Sequence, residues 1–324
     1  MRILVTGGAG YIGSHVCKLL KSNGYSPVVF DSFERGFKKS IKWGDYIRGD
    51  LRDPDSIKAA LMSQDFDGVM HFAAFAYVGE SIHEPKKYLE NNVMGTINLL
   101  EAMKNVNVKK LIFSSTCAVY GTPKSSPVTE SHAIKPESPY GLSKVMAESV
   151  IQQYKDLGII KPIILRYFNV VGSDPDAEIG ECHEPETHIL PIAIEAAIGI
   201  RDKFVVFGDD YKTKDGTGIR DYIHVNDLAS AHIKAYEMID SLYEEKNVFN
   251  LGTEKPYSVL EIIRIVEKVT SSKINLEFEN RREGDAEALY ADAGNAKKYL
   301  SWKPKYPDIE QSILHAHQWL KKSK

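Results

Sequence analysis

The stretch FSSTCAVYG, residues 113–121, places three side chains in a row that could do chemistry: Ser115, Thr116 and Cys117. They follow an apolar run, KLIF, that predicts a buried strand. A nucleophilic thiol needs a nearby base and an electropositive setting, and the sequence places no paired histidine close to Cys117. We therefore interpret Cys117 as a packing or pocket-lining residue. The role of the two hydroxyls depends on which groups the fold brings to them.

A second reactive pair, Tyr140 and Lys144, lies in SPYGLSKVMAE. In a helix, residues four apart lie on one face. A free tyrosine has a pKa of about 10, too high for a base near neutrality, but an adjacent ammonium stabilises the phenolate and lowers that pKa. Beside an oxidised nicotinamide, such a pair can take the proton of a sugar or alcohol hydroxyl as hydride leaves. Alone, this spacing is most often an ordinary surface pair, so the prediction needs a cofactor signal.

That cofactor signal is TGGAGYIG, which places Gly7, Gly10 and Gly13 between an apolar strand and an amphipathic helix. The first glycine allows a tight turn, the second lets a pyrophosphate approach the backbone, and the third lets the helix pack against the strand. The phosphates then meet free N–H groups at the helix N-terminus. Asp31 ends the next strand, where a carboxylate accepts hydrogen bonds from the adenosine ribose and repels a 2′-phosphate. The pattern predicts NAD rather than NADP.

These residues need a scaffold, and the chain has the pattern of one. Up to about residue 170, short and nearly continuous apolar strands alternate with helical segments, which is typical of a parallel sheet covered on both faces. We predict an α/β fold, a Rossmann-type doubly wound parallel sheet with a smaller mixed α/β C-terminal substrate domain. The predicted domains are 1–170 and 171–324, with some later segments returning to the first domain.

Several individual elements can also be predicted. Helical patterns cover 85–105, 140–157 and 189–198, and the stretch FVVFGDDYKTKDGTGIRDYIHV looks like a hairpin.

Composition excludes several classes of protein. The 324 residues include 41 Lys and Arg against 44 Asp and Glu, a net charge of −3, so we expect no nucleic-acid partner. The apolar N-terminal run is too short for a signal peptide core or a membrane span. Three widely spaced cysteines, Cys17, Cys117 and Cys182, fit a reducing cytoplasm, and we predict no metal site among the ten histidines.

Together these segments resemble the extended short-chain dehydrogenase/reductase family, and more closely its UDP-glucose 4-epimerases. The resemblance covers nearly the whole chain. The glycine loop and the Tyr-Lys pair are typical of the superfamily, whereas DGTGIRDYIHV with RREGD is much more specific for nucleotide-sugar epimerases. The resemblance makes 171–324 the UDP-sugar-binding domain and implies a homodimer through the helices at 85–105 and 140–157.

The resemblance also implies roles for individual residues. Thr116 and Tyr140 would work at the sugar O4, with Lys144 bridging Tyr140 and the nicotinamide ribose. The residues implied in NAD binding are Gly7, Gly10, Tyr11, Ile12, Gly13, Asp31, Asp50, Leu51, Phe72, Ala73, Ala74, Asn91, Ser114, Tyr140, Lys144 and Tyr167. Those implied in substrate binding are Thr116, Asn169, His188, Ile189, Val205, Phe207, Arg220, Tyr222, Arg282, Asp285 and Leu289.

Three positions depart from the family pattern. Ala76 stands where many of these epimerases have a lysine near the cofactor, and His188 stands where an asparagine is common beside the nucleotide. Leu289 occupies the position that limits the C2 substituent of the sugar, and its intermediate size neither excludes nor implies N-acetylated sugars.

The resemblance implies interconversion of UDP-glucose and UDP-galactose through a transient 4-keto sugar and bound NADH. Alternatives with the same first step are 4-epimerases of UDP-N-acetylglucosamine, UDP-xylose or UDP-glucuronate. Dehydratases and decarboxylases of this family need a carboxylate just after the Thr or Ser, where this chain has Cys117 and Ala118. A catalytically idle NAD sensor would not need Thr116, Tyr140 and Lys144 together.

Overall fold

The computed structural model describes residues 1–282 and 285–323, and its centre is a seven-stranded sheet. All neighbouring strands pair in parallel, in the order β10-β6-β5-β4-β1-β2-β3. Their bounds are β1 Arg2–Thr6, β2 Ser26–Asp31, β3 Asp45–Arg48, β4 Gly68–His71, β5 Lys110–Thr116, β6 Lys161–Tyr167 and β10 Val248–Leu251. The predicted Rossmann-type sheet is therefore confirmed.

Helices cover both faces of this sheet. The helices of the described residues are α1 Tyr11–Ser22, α2 Pro54–Met62, α3 Val78–His83, α4 Pro85–Tyr88, α5 Gly95–Asn105, α6 Pro139–Asp156, α7 Ile189–Ala197, α8 Val225–Leu242, α9 Val259–Thr270, α10 Gly294–Tyr299 and α11 Ile309–Ser323, of which α7, α9 and α11 pack together beside the smaller sheets instead. Ile3 and Val5 of β1 pack on one face with α1 and α8, whereas Leu4 packs on the other face with α2, α5 and α6. This alternation follows from the period of two in a strand.

Two smaller sheets form the C-terminal half. One contains β7 Asn169–Val171, β9 Ile219–His224, β11 Pro256–Ser258 and β13 Ala288–Leu289, and the other pairs β8 Phe204–Phe207 with β12 Leu276–Glu279. The predicted hairpin is wrong, because β8 pairs in parallel with β12 whereas β9 pairs with β7, β11 and β13. Local alternation indicated two strands correctly, but their partners come from distant parts of the chain.

Most predicted helices are present, with one irregularity. The predicted helix over 85–105 consists of α4, a π-helical turn at Leu89–Met94 and α5. The strand β10 comes from beyond residue 171 and forms an edge of the large sheet, and the predicted division into two domains stays a prediction. In the described part of the chain, no helix is both long and apolar enough to cross a bilayer.

The parallel order brings several chain segments to one edge. The carboxyl ends of β1, β2, β4, β5 and β6 lead to the glycine loop, Asp31, Phe72, Thr116 and Tyr167, respectively. Ligands of open α/β sheets bind at this edge. The fold therefore gathers most of the predicted cofactor residues and the reactive pair in one place.

Candidate active site

The glycine loop has the shape that a dinucleotide needs. Gly7 has φ +70°, and a Cβ there would lie 2.6 Å from the backbone nitrogen of Ala73. A Cβ on Gly13 would overlap the Gly7 carbonyl oxygen, so this glycine is needed by the fold itself. A Cβ on Gly10 would meet only the Gly7 oxygen, at 3.3 Å, and would otherwise point into open space. The space at Gly10 is where the loop leaves room for a ligand.

The N-terminus of α1 adds an electrostatic attraction for phosphate. Gly10 is its N-cap and offers no side chain to satisfy the first N–H groups, and the first turn has no acidic residue. Free N–H groups and the helix dipole favour an anion at such an end. The residues present therefore fit a pyrophosphate, and they would hold it through the backbone of the loop.

Asp31 fastens two loops beside this end of the sheet. Its carboxylate accepts the backbone N–H of Ala9 at 3.0 Å and that of Phe33 at 2.9 Å. Burial raises the pKa of this carboxyl, and the two N–H groups oppose that rise. A Cβ on Gly36 would lie about 3 Å from both carboxylate oxygens. Asp31 therefore holds the glycine loop in place and keeps a buried acceptor where a ribose is predicted.

The other predicted cofactor residues fall into three groups. Tyr11, Phe72, Ala73 and Ala74 line the sheet edge around the loop, where Tyr11 donates its hydroxyl to the Gly172 carbonyl at 2.6 Å. Ser114 and Tyr167 are joined by a hydrogen bond between their hydroxyls. Ile12 and Leu51 pack into the core, Asp50 is paired with Arg52, and Asn91 donates to Asn92 at 3.0 Å. Their contacts to NAD stay predictions.

Thr116, Tyr140 and Lys144 meet at the end of β5. The Thr116 and Tyr140 side chains are neighbours, and the ammonium of Lys144 donates to the Ser114 carbonyl at 2.8 Å. All three side chains are buried. Ser138 caps α6 by accepting from the Gly141 N–H at 3.1 Å, which fixes the first turn that carries Tyr140. The two hydroxyls therefore converge beside the cofactor edge, as the sequence predicted.

The charge states of this centre differ from the sequence expectation. Burial raises the pKa of Tyr140, and the neighbouring Thr116 hydroxyl opposes that rise only in part. Burial also lowers the pKa of Lys144 to about 7, whereas the Glu148 carboxylate opposes that shift. Burial, rather than Lys144, therefore dominates the pKa of Tyr140 in this structure. A positive charge brought into the centre would favour the phenolate.

A buried ion pair that the sequence reading missed fixes this centre from behind. Arg166 of β6 donates to both carboxylate oxygens of Glu148 on α6, at 3.0 and 2.5 Å. Ser115 of β5 donates to the same carboxylate, and Arg166 also donates to the Tyr120 hydroxyl at 3.0 Å. The pair thus joins β5, β6 and α6 directly beneath Thr116. It was invisible in the sequence because its members are far apart along the chain.

A second buried network supports the cofactor edge. Asn92 accepts the Phe75 N–H at 2.9 Å and donates to the Phe75 carbonyl at 3.0 Å and to Ser143 at 2.9 Å. His71 lies between the hydroxyls of Thr6 and Thr96, at 2.7 and 3.1 Å. In the sequence, only the two adjacent asparagines of NNVMGT pointed to Asn92. The network ties the segment after β4 to α6.

The predicted substrate residues lie on the smaller sheets. Arg220 of β9 forms an ion pair with Asp285, and Leu289 of β13 lies in register opposite Arg220. The Arg282 guanidinium lies 3.8 Å from the centre of the Phe207 ring. Arg282 and Asp285 flank Glu283 and Gly284 of the RREGD motif, and these two residues lie outside the described part of the chain.

The remaining substrate residues are placed around this set. Asn169 and Tyr222 are in register between β7 and β9, Val205 lies in β8, and Ile189 begins α7. A cavity of about 700 Å³ opens beside Phe207 and Arg282 but is not lined by Thr116 or Tyr140. The predicted nucleotide residues thus lie on the smaller sheets and at the start of α7, and their contacts to UDP stay predictions.

His188 has partners of its own. Its Nδ1 lies 2.9 Å from Glu186 and 3.0 Å from Glu181. Burial lowers the pKa of His188, but these two carboxylates outweigh burial and raise it to about 10.

Cys117 lies in an environment where burial dominates, and burial raises the pKa of its thiol to about 12. The interpretation of Cys117 as a non-nucleophilic residue agrees with this environment.

A parallel sheet with a glycine-rich phosphate loop and a buried Thr-Tyr-Lys centre defines a nicotinamide-dinucleotide-dependent enzyme of the Rossmann type. Residues 3–252 match the model of the NAD dependent epimerase/dehydratase family. The chain belongs to this family, which confirms the predicted family and agrees with NAD as the predicted cofactor.

Similar proteins of known name extend over the whole chain. A UDP-glucose 4-epimerase of Rhizobium leguminosarum bv. trifolii is 44% identical, over 99% of this chain and 98% of that protein. The crystal structure of UDP-glucose 4-epimerase from Brucella ovis in complex with NAD has a TM-score of 0.94 and 43% identity, with 98% of each chain covered. The enzyme from Bifidobacterium longum, in complex with NAD+ and UDP, has a TM-score of 0.93 and 37% identity, covering 99% of this chain and 98% of that one.

Two glycine substitutions should separate ligand binding from folding. We expect Gly10→Ala to leave the melting temperature of the NAD-free protein nearly unchanged and to weaken NAD binding, because its Cβ enters space left for the ligand. Gly13→Ala should lower the melting temperature even without NAD, because its Cβ overlaps the Gly7 carbonyl. Calorimetry with and without NAD measures both. Equal melting temperatures for the two NAD-free variants would contradict this assignment.

The lowered pKa of Lys144 predicts a pH dependence. In the unfolded chain its pKa is about 10.4, against about 7 in the fold, so between these values the unfolded state binds a proton that the folded state lacks. The NAD-free wild type should therefore gain unfolding free energy relative to Lys144→Met as the pH rises from about 7 to about 9. Urea titrations of both proteins across this range measure the difference. A constant or falling difference would contradict burial as the dominant effect.

Proposed function

We propose that this chain interconverts UDP-glucose and UDP-galactose by inverting the configuration at C4 of the sugar, with NAD as its cofactor. The observation that supports this most is the placement of two neighbouring hydroxyls, Thr116 and Tyr140, at the glycine-loop edge of the sheet, with no carboxylate following Thr116. The nearly full-length similarity to UDP-glucose 4-epimerases supports the same reaction.

In the proposed reaction, the residues of this chain bind the substrate and move one proton. Tyr140 takes the proton of the sugar 4-hydroxyl, and Thr116 holds O4 by a hydrogen bond. Lys144 in its charged form stabilises the tyrosine phenolate. When bound, NAD supplies a reversible acceptor for the C4 hydride. Residues on the smaller sheets, including Asn169, hold the diphosphate while the 4-keto sugar turns its other face to the same centre.

The residues after Thr116 determine what the keto sugar does next. Elimination would require a carboxylate to remove the C5 proton, but Cys117 is a buried thiol with a raised pKa, and Ala118 has no polar side chain. Tyr140 can only return the proton to O4. The centre therefore favours epimerisation over dehydration or decarboxylation.

A change at Tyr140 tests the base role. Tyr140→Phe should lower kcat about 10²–10⁴-fold, because it removes the proton acceptor, while the protein still binds NAD. The matched control is Tyr154→Phe on the same helix, whose hydroxyl contacts Glu101 at a distance from the site and whose loss should leave kcat nearly unchanged. A Tyr140→Phe protein that retains NAD and turns over at the wild-type rate would remove Tyr140 from this role.

A second candidate function is 4-epimerisation of another UDP-sugar, including UDP-N-acetylglucosamine, UDP-xylose and UDP-glucuronate. Leu289 supports this second candidate. Its side chain is of intermediate size, and it lies in register opposite Arg220, one of the predicted substrate-binding residues. A product assay with UDP-galactose, UDP-N-acetylgalactosamine, UDP-xylose and UDP-glucuronate, under one set of conditions, compares kcat/KM directly. Preference for a sugar other than UDP-galactose would replace the first proposal without affecting the catalytic residues.

We also propose that the chain forms a homodimer. Leu142 and Met146 are exposed one turn apart on α6, and Met94 is exposed on the π-helical turn that packs against α6. Exposed apolar side chains grouped on adjacent helices are typical of an interface. The same helices are those that the family resemblance assigns to a dimer. Three free thiols also support the proposed cytoplasmic location, where reducing conditions preserve them.

A charge on this surface tests the dimer. Met146→Glu should convert the protein to a monomer in light scattering coupled to gel filtration, because an ionised side chain would be buried in the interface. The control is Leu314→Glu on α11, an equally exposed leucine outside the proposed surface. If both variants keep the wild-type mass, or if the wild type itself is a monomer, this interface is wrong.

A further inference from the structure

A group of histidine and glutamate side chains lies outside the reactive centre, and only His188 among them has a predicted role, in substrate binding. Glu181, His183, Glu186 and His188 lie in the segment 172–188, which joins β7 to α7 without a helix or strand of its own. One ligand atom from each side chain lies within 4.8 Å of all the others. Sequence spacing did not indicate a metal site here, because the four ligands come together only through the fold of this loop.

The distances between these atoms fit a small ion. Nδ1 of His183 lies 3.2 Å from Glu181 and 3.7 Å from Glu186, and Nδ1 of His188 lies 3.0 and 2.9 Å from the same two carboxylates. Ligand atoms of a tetrahedral zinc site, with bonds of about 2.0–2.1 Å, stand about 3.3–3.4 Å apart. The four nitrogen–oxygen separations bracket that value, and one ligand atom from each side chain lies within 4.8 Å of the others, so local movement would bring the four around an ion.

The carboxylates of this group are paired with histidine side chains rather than with lysine or arginine. Within residues 1–282 and 285–323, neither Glu181 nor Glu186 forms an ion pair with a lysine or an arginine. The nearby acidic group of Asp174, Asp176 and Glu178 differs, because the Lys18 ammonium lies 2.7 to 3.2 Å from all three. Only the first group therefore has carboxylates whose partners are themselves able to ligate zinc.

One nitrogen in the group is both buried and unsatisfied. Nδ1 of His183 is shielded from solvent and has no hydrogen-bond partner, although it faces two carboxylates. The ligands are also held from outside: Glu186 accepts the N–H groups of Thr187 and His188, at 2.8 and 2.9 Å, and Trp319 donates to the Glu181 carbonyl at 3.0 Å. Such outer contacts orient the ligands of metal sites.

We propose that Glu181, His183, Glu186 and His188 bind one Zn²⁺ ion. Two carboxylates and the ion balance in charge, and the imidazoles bind as neutral ligands. Zinc accepts imidazole nitrogen and carboxylate oxygen in tetrahedral geometry, whereas Mg²⁺ and Ca²⁺ prefer oxygen ligands in larger numbers. Four protein ligands leave no open position, so the ion is structural rather than catalytic.

The position of the site indicates what the ion stabilises. The His183 ring makes an edge contact with Tyr11 of the glycine loop, at 6.2 Å between ring centres, and the Tyr77 ring lies 5.9 and 6.1 Å from those of His183 and His188. Arg35 donates to the Glu184 carbonyl at 2.9 Å. The ion would therefore fix the segment before α7 against the glycine loop.

Metal content and stability test the site without using activity. Protein treated with a chelator and then given Zn²⁺ should retain about one ion per chain after dialysis and should melt at a higher temperature than the metal-free form. His183→Gln and Glu181→Gln should each lose the ion and the rise in melting temperature. The control Asp176→Asn changes the acidic group that Lys18 occupies and should retain both.

Two results would overturn the proposal. One is a wild type that retains no Zn²⁺, since the four side chains would then be held by shared protons alone. The other is retention of Zn²⁺ by His183→Gln at the wild-type level, which would place the ion elsewhere. Should the variants fail to fold, X-ray absorption of the wild type decides: we expect four nitrogen or oxygen neighbours at about 2.0–2.1 Å. A sulfur neighbour would contradict the site, because Cys182 is not one of the four.

Discussion

The geometry of the reactive centre depends on one buried ion pair, between Glu148 and Arg166. Thr116 ends a strand, Tyr140 and Lys144 begin a helix, and the helix could slide or rotate against the sheet if only apolar packing held it. The two-pronged bond from Arg166, with the added bond from Ser115, removes that freedom. Breaking one partner would leave an uncompensated buried charge, so the arrangement has few alternatives.

Burial has a second effect in the same place. It keeps Tyr140 neutral and weakens the charge on Lys144, so the centre alone is a poor base. The positive charge of an oxidised nicotinamide beside Tyr140 would favour the phenolate over the neutral tyrosine, because a single charge acts strongly in a region of low dielectric. Proton removal would thereby be coupled to the presence of the oxidised cofactor. The protein without bound oxidised cofactor would be unable to start the reaction.

The sequence predicted those parts of the site whose residues are close together along the chain. The glycine loop, Asp31 and the Tyr140–Lys144 pair all lie in short motifs with a local geometric reason for their spacing. The ion pair of Glu148, the amide of Asn92 and the ring of His71 were missed, since each has partners from other segments. The hairpin prediction failed for the same reason: alternation shows that a strand exists, but its neighbour is chosen by tertiary packing.

The edge strand β10 has a consequence for how the chain is made. It pairs with β6 although about eighty residues separate them, and α8, which precedes it, covers one face of the same sheet. During translation the ribosome must therefore release the chain beyond Leu251 before the nucleotide-binding sheet can close. Long-range pairing of this kind slows folding and leaves the edge of β6 exposed in the meantime. Until the second half has emerged, the unpaired groups along β6 are therefore open to pairing with another chain.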